Sequence, residues 1–495
     1  MKKTLLAVNL FVLLLTACKK ETPLLSSENA LVTFQITVAK NSELIENDVN
    51  FTVNDTLVVG VSGNNKSRAI LIANFTTTGE TVTVNGVQQA SGETVNDFTS
   101  PVIYTVTAKN GLQKRYTVKL KAFTGLPIIY INTDAPVASK ENYVNGSMKV
   151  DGNLDFTDGL YDGKIQIRGR GNSTWYQDKK PYKIKLASKS GILGMPADKE
   201  WALLANYFDK TLMRNDVAFE LSERIGLAWT PRRRFVEVIM NNEFVGNYLL
   251  TETVKTGADR LNITTMDIKK PTDTTGSYLL EADQTLSGLQ SFRTASTVPI
   301  VLKEPDPLSN SQFNYIQHQF QAMEDNISNY LDLRPQIDLD SWIKWVIVNE
   351  VMRNRDAVFY GSCFFYGKNG KIFMGPVWDF DLSSGGYAGN DPQGWYVHNN
   401  NWIIGLFLYH PYYKERFKQI WSEMYSSIAS INNYIKANNI TLQYSQKENF
   451  TRWNIMNVSA YDGQVMSGNY QSEVDHLSNF INQRISWINA QVNSW

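Results

Sequence analysis

Ile165-Gln166-Ile167-Arg168-Gly169-Arg170-Gly171-Asn172-Ser173-Thr174-Trp175 decides how the larger part of this chain is read. Alternation along an extended strand puts Ile165 and Ile167 on one face and Arg168 on the other. Lys179-Lys180-Pro181-Tyr182-Lys183-Ile184-Lys185-Leu186 follows at once, with Lys183 and Lys185 opposite Tyr182, Ile184 and Leu186. Two basic strands around a Gly-rich, hydroxyl-rich loop can hold an anion such as phosphate, through charge and backbone N–H groups. A solvated strand face with an ordinary loop is the alternative. The segment is neither a Walker loop nor a dinucleotide fingerprint, because neither spacing is met.

Two further segments concentrate functional groups. Trp345 to Asp356 begins as a helix and ends in the polar run Arg353-Asn354-Arg355-Asp356, ahead of a strand that leads to Tyr366. After an Asn369-Gly370 turn comes Lys371-Ile372-Phe373-Met374-Gly375-Pro376-Val377-Trp378-Asp379-Phe380-Asp381. If that strand stays extended to its end, Asp379 and Asp381 point the same way. Neighbouring carboxylates repel. Water at a strand end, a shared proton, or a hard cation such as Mg²⁺ between them each relieves the repulsion.

Around these segments the texture divides. Strand patterns dominate from Ile128 to Ala282, and helical stripes dominate afterwards. Over 310–330, Phe313, Ile316, Phe320, Met323, Ile327 and Tyr330 recur at three- and four-residue spacings, and similar stripes run over 338–352, 411–429 and 472–492. Gly226 follows a shorter stripe where a helix C-cap belongs. Residues 125–495 therefore read as an α+β domain, with a strand-rich lobe over about 125–305 and a helix-rich lobe over about 306–495. Upstream, short β-runs between Leu31 and Lys121, with Asn-Gly turns at 85–86 and 110–111, predict an all-β immunoglobulin-like sandwich over 30–124.

The start of the chain reads as an address. Met1-Lys2-Lys3, an apolar run from Leu5 to Leu15 and Leu15-Thr16-Ala17-Cys18 form a lipoprotein signal over 1–17. Cys18 would carry the lipid, 18–29 would be a tether, and the anchor would be the only membrane contact. The expected place is the cell envelope, outside the cytoplasm, at an outer membrane or cell surface. Lysine plus arginine equal aspartate plus glutamate at 48 each, which argues against a nucleic-acid partner. Only Cys18 and Cys363 are present, and the histidines at 318, 398, 410 and 476 show no metal-ligand spacing.

Taken together, these residues resemble the spore coat protein H (CotH) kinase-like family. The likeness rests on Arg168 to Trp175, Lys180 to Leu186, Trp201 to Asn206 with Met213-Arg214-Asn215, Asn241 to Tyr248 with Glu252, and Gly375 to Asp381. It implies a two-lobed, atypical protein-kinase-like domain that transfers the γ-phosphate of ATP to a hydroxyl with Mg²⁺. By the same carry-over, Asp356 would orient the acceptor hydroxyl and take its proton. Asp379 would hold the metal, with Asp381 supplying a second oxygen. Lys185, with Lys183 as the alternative and Arg168 nearby, would neutralise phosphate, and Glu252 would position the lysine. Where protein kinases place a second metal-binding asparagine, this chain has Gly361 followed by Ser362.

Other readings compete with this one. An inactive kinase-like or glycan-binding protein would use Trp175, Trp378, Trp395, Trp402, Tyr387 and Tyr396 as a sugar platform, although aromatic rings in a large domain are more often core. A glycosidase would need Asp356 and Asp379 about 5–10 Å apart across an open groove. The expected partner is a protein or glycan acceptor outside the cytoplasm, met by a monomer.

Overall fold

The computed structural model describes residues 24–286, 290–386, 391–459 and 461–495. The signal segment 1–17, Cys18 and Tyr387 lie outside the described residues. The chain divides after Leu120 into two compact units, an all-β unit followed by a mixed α/β unit.

In the smaller unit, Leu31–Ile36 is the centre of a three-stranded sheet, and Leu57–Val61, Gln113–Lys121, Val102–Thr107 and Thr81–Val84 are successive inner strands of a six-stranded one. Alternation decides which residues enter the core. Val102, Tyr104 and Val106 are buried from one strand, and Tyr116, Val118 and Leu120 from its neighbour. Phe34 meets Phe51 and Tyr104 edge-on, with centroids 4.9 and 5.1 Å apart. Asn85 and Gly86 take φ values of 49° and 80°, the left-handed pair that a tight hairpin turn requires.

The larger unit begins with a closed barrel. Its strands are, in order round the barrel, Ile128–Thr133, Val144–Asp151, Asp162–Gly169, Tyr182–Ile192, Met195–Leu204, Glu243–Glu252 and Arg233–Met240, the last pairing in parallel with the first. Ile165, Ile167, Ile184 and Leu186 point inward around the fully buried Trp201. Burying each of these aliphatic side chains contributes about 1.5–3 kcal/mol. The outward positions of the same strands are then left for Arg168, Lys183 and Lys185.

A five-stranded sheet, ordered Ser291–Arg293, Pro299–Glu304, Tyr278–Ala282, Cys363–Lys368 and Lys371–Met374, stands beside the barrel. It draws strands from both sides of residue 305, so the expected lobe border there runs through a single sheet. Helices Arg214–Ile225, Asn310–Ser328, Leu339–Val351, Pro411–Ala429 and Tyr470–Asn493 share one apolar core that includes Val217, Phe320, Trp342, Phe417 and Ile481. The helix over 214–225 thus leaves the strand-rich stretch of sequence to pack with the later helices. Gly226 ends it at φ 72°, the left-handed cap that glycine allows. Ser309 and Gln312 start the helix over 310–328 with a reciprocal capping box. Among the described residues no helix is long and apolar enough to cross a membrane.

Candidate functional site

The strand carrying Lys371 to Met374 does not stay extended to Asp381 as the alternation argument required. It stops at Met374, and Asp379 takes φ 69°. Ser362 at 55°, Phe359 at 60° and Ser384 at 50° also lie in the left-handed region. Each costs on the order of 1–3 kcal/mol and persists only where surrounding contacts over-determine it. Those contacts are present. Asn215 Oδ1 accepts the Phe380 N–H at 2.8 Å, and Asn206 Oδ1 accepts from Asn215 Nδ2 at 3.2 Å. Arg214, buried in an ion pair with Asp209, donates from Nε to the Ser383 carbonyl at 3.0 Å. Ser384 Oγ donates to the Met352 carbonyl at 3.0 Å, tying the loop to the end of the helix over 339–351. On the other wall, Asn354 donates from Nδ2 to the Asp379 carbonyl at 3.3 Å and accepts the Asp356 N–H at 3.2 Å.

The result is a polar cavity of about 250 Å³ into which Asp356, Asp379 and Asp381 all project, facing Arg170, Asn172, Ser173, Glu281 and Ser362. Burial is the first cause of an upward pKa shift in all three aspartates, and their mutual repulsion adds to it for Asp356 and Asp381. Asp356 is pushed up to about 6. Asp379 is raised against the opposing pull of the Ser362 hydroxyl, which donates to Oδ2 at 3.0 Å, and of Arg170. Arg170 stacks on Trp378 at 5.2 Å, and the pull of Asp379 and Glu281 opposes the effect of its burial. Gly169 is required behind it, since a Cβ there would sit 2.2 Å from the Trp175 ring. The backbone N–H groups of Gly171 and Asn172 make no hydrogen bond among the described residues. Three repelling acids, one guanidinium and two unpaired N–H groups form an arrangement able to take a cation and a phosphate together.

A family model described as CotH kinase protein matches residues 167–488. The chain belongs to that family. A second model, described as SGBP, N-terminal, matches residues 32–120. No curated protein matches the chain. Among solved structures, a putative secreted protein from Bacteroides fragilis is 17% identical over 20% of this chain and 97% of its own, with a TM-score of 0.15. A putative glycoside hydrolase from Bacteroides thetaiotaomicron is 18% identical over 37% of this chain and 53% of its own, with a TM-score of 0.17.

In this member of the family the residues singled out from sequence fall into four places. Asp356, Asp379 and Asp381 come together. Arg168 and Lys183 line an adjoining groove of about 630 Å³, which shares Arg170, Gly171, Asn172, Glu281 and Trp378 with the cavity. Arg168 is occupied there by the Lys140 carbonyl and the Tyr143 ring, and Lys183 pairs with Glu200 at 3.2 Å. Lys185, two residues further along its strand, lies in a separate groove and does not reach the carboxylates. Glu252 does not position a lysine. It is fully buried and accepts from Arg260 at 2.5 Å and Arg232 at 2.9 Å, two arginines that chain folding brings to it from outside its own strand.

Arg170 and the pair formed by Glu281 and Lys303, 2.9 Å apart, are functional groups of the cleft that the sequence motifs do not single out. Arg170 had a legible signal, being flanked by two glycines. Glu281 and Lys303 had none, because only the pairing of their strands joins them. Three of the aromatic residues offered as a sugar platform are engaged in packing. Trp395 packs on Trp487 and Trp495, Trp378 lies beneath Arg170, and Trp175 covers Gly169 at the barrel end.

Proposed function

We propose that this protein transfers the γ-phosphate of ATP, with Mg²⁺, to a hydroxyl of a protein acceptor outside the cytoplasm, while lipid on Cys18 holds it at a membrane. The observation that carries the reading is the convergence of Asp356, Asp379 and Asp381 on one cavity with Arg170. Among the described residues no group of three or more His, Cys, Asp or Glu forms a ready-made metal site. Asp379 and Asp381 nevertheless fit Mg²⁺, which is commonly held by one or two carboxylates and completed by water and substrate phosphate. Their pKa values are raised because Arg170 beside Asp379 and Arg214 beside Asp381 only partly offset the effect of burial, and a cation between the two carboxylates would complete that balance. Mg²⁺ held there supplies neutralising charge for the donor phosphates.

The chain's own groups do the rest. Arg170 and the Gly171 and Asn172 N–H groups hold phosphate oxygens, and the groove of about 630 Å³ accommodates the remainder of the nucleotide. A recess of about 330 Å³ shares Ser173, Asp356 and Leu382 with the cavity and receives the acceptor. Asp356 takes the hydroxyl proton as that oxygen bonds to phosphorus and ADP departs, and a pKa near 6 suits a base working near neutrality. The match to a model described as SGBP, N-terminal supports a surface location for the unit over 32–120.

Calorimetric titration of ATP with Mg²⁺, followed by a phosphate-transfer assay, tests the reading. Asp379→Ala is expected to abolish metal-dependent nucleotide binding and to slow transfer by on the order of 10³. Wild-type binding and turnover in that variant would refute the proposal.

A further inference from the structure

We infer that a second groove, carrying Lys164, Lys185 and Lys199, is a docking site for an acidic protein segment. It encloses about 640 Å³ and has no lining residue in common with either the carboxylate cavity or the groove beside it. The inference therefore does not depend on phosphoryl transfer. Its walls come from five successive barrel strands, from Ile128–Thr133 round to Met195–Leu204. With strands about 4.8 Å apart, that is a span of roughly 19 Å, the length of about six extended residues.

The charge is concentrated and unanswered. Lys164, Lys185 and Lys199 are all exposed, and none forms an ion pair within the described residues, whereas Lys183, two residues before Lys185, is matched by Glu200. Among the described residues the only carboxylate lining the groove is Asp134. The chain as a whole has a formal net charge of zero, so this is a local field and not a general bias. Asn132, Asn145 and Gln166 add carboxamides, which both donate and accept and so complement a peptide backbone. Among the described residues no aromatic ring lines the groove to take the face of a sugar, and Asp134 would oppose a uniformly charged polyanion. A peptide with spaced acidic side chains satisfies all of these groups. The strands over 162–169 and 182–192 continue from this groove to the one beside the carboxylates, passing from Gln166 and Lys185 to Arg168 and Lys183 in a single two-residue step. A protein docked by its acidic segment is thereby brought beside the cleft.

The test is fluorescence anisotropy on the full chain without nucleotide. The probes are a labelled peptide of alternating glutamate and serine, its glutamine counterpart, and labelled oligogalacturonate. The glutamate peptide is expected to bind, the glutamine peptide not to bind, and affinity to fall several-fold between about 50 and 300 mM salt. The triple variant Lys164→Gln, Lys185→Gln, Lys199→Gln is expected to bind at least about tenfold more weakly, and the corresponding triple arginine variant to recover. The three side chains are exposed, so matching thermal melts will show that folding is intact. Unchanged affinity in the glutamine variant, or tighter binding of oligogalacturonate than of the peptide, would overturn the inference.

Discussion

Glu350 lies in the last turn of the helix over 339–351 and Asp356 follows six residues on in the turns beyond it, yet their surroundings treat a carboxylate in opposite ways. Glu350 is fully buried and completely answered. It accepts from Arg484 at 2.5 Å, from His398 Nδ1 at 2.8 Å and from the Tyr396 N–H at 2.9 Å. Burial alone would raise its pKa, but these partners outweigh it and the net shift is downward. Asp356 is only half-buried, has another acid as its strongest charged neighbour, and is raised to about 6. The first arrangement spends its charge on holding the segment over 391–401 in place, since Arg484 also donates to the carbonyls of Pro392 and Gly394. The second keeps charge unneutralised in a cavity, the condition expected where a ligand completes the balance.

The largest effect should come from breaking the answered cluster. Glu350→Ala leaves the Arg484 guanidinium buried without its partner, which costs about 3–5 kcal/mol. Urea unfolding followed by tryptophan fluorescence will measure it. A loss below about 1 kcal/mol would mean that the network is not a stabilising one.

A smaller effect separates the two clusters by pH. The folded pKa of Asp356 is raised from 3.8 to about 6, so between those values the folded state keeps a proton that the unfolded chain has released. Its contribution to stability is therefore greatest below about pH 4 and declines as pH rises, and the full penalty is present above about pH 6. Allowing for part exposure, that penalty is about 1–2 kcal/mol. With EDTA present, the difference in unfolding free energy between Asp356→Asn and wild type should grow in favour of the variant from pH 4 to pH 6 and then level off. Parallel pH profiles would remove the distinction between the two clusters.

The same contrast explains how far the sequence could be read. Periodicity exposed the helices over 310–328, 411–429 and 470–493, and the glycine at 226 marked a real cap, because these are local properties of the chain. Closure of the barrel was not legible. Val144–Asp151 and Met195–Leu204 carry Gly146, Lys149, Pro196, Asp198 and Lys199, and read as strands only once neighbours on both sides supply hydrogen bonds. At the site, the aspartates were visible because each closes a distinctive local run. The choice of Lys185 failed because alternation gives a face but not a position along the strand, and two residues separate the two grooves. Glu252 failed because Arg232 and Arg260, its actual partners, carry no local sign of that contact.

The smallest expected change in stability is also the sharpest test of the unanswered cluster. Burial and the neighbouring Asp379, Asp356 and Asp209 drive the pKa of Asp381 well above its usual value, with Arg214 opposing them. An asparagine matches the protonated acid in shape and in charge, so Asp381→Asn should leave the metal-free protein within about 0.5 kcal/mol of wild type, in contrast to Glu350→Ala. Its effect should appear only when Mg²⁺ is added. A ligand that binds the folded state stabilises it by mass action, and loss of one of two carboxylates removes most of that gain. Thermal melts with and without Mg²⁺ should therefore separate for wild type and coincide for Asp381→Asn. If the variant loses several kcal/mol without metal, Asp381 belongs with Glu350 as a structural charge, and the pairing of Asp379 with Asp381 around a cation fails.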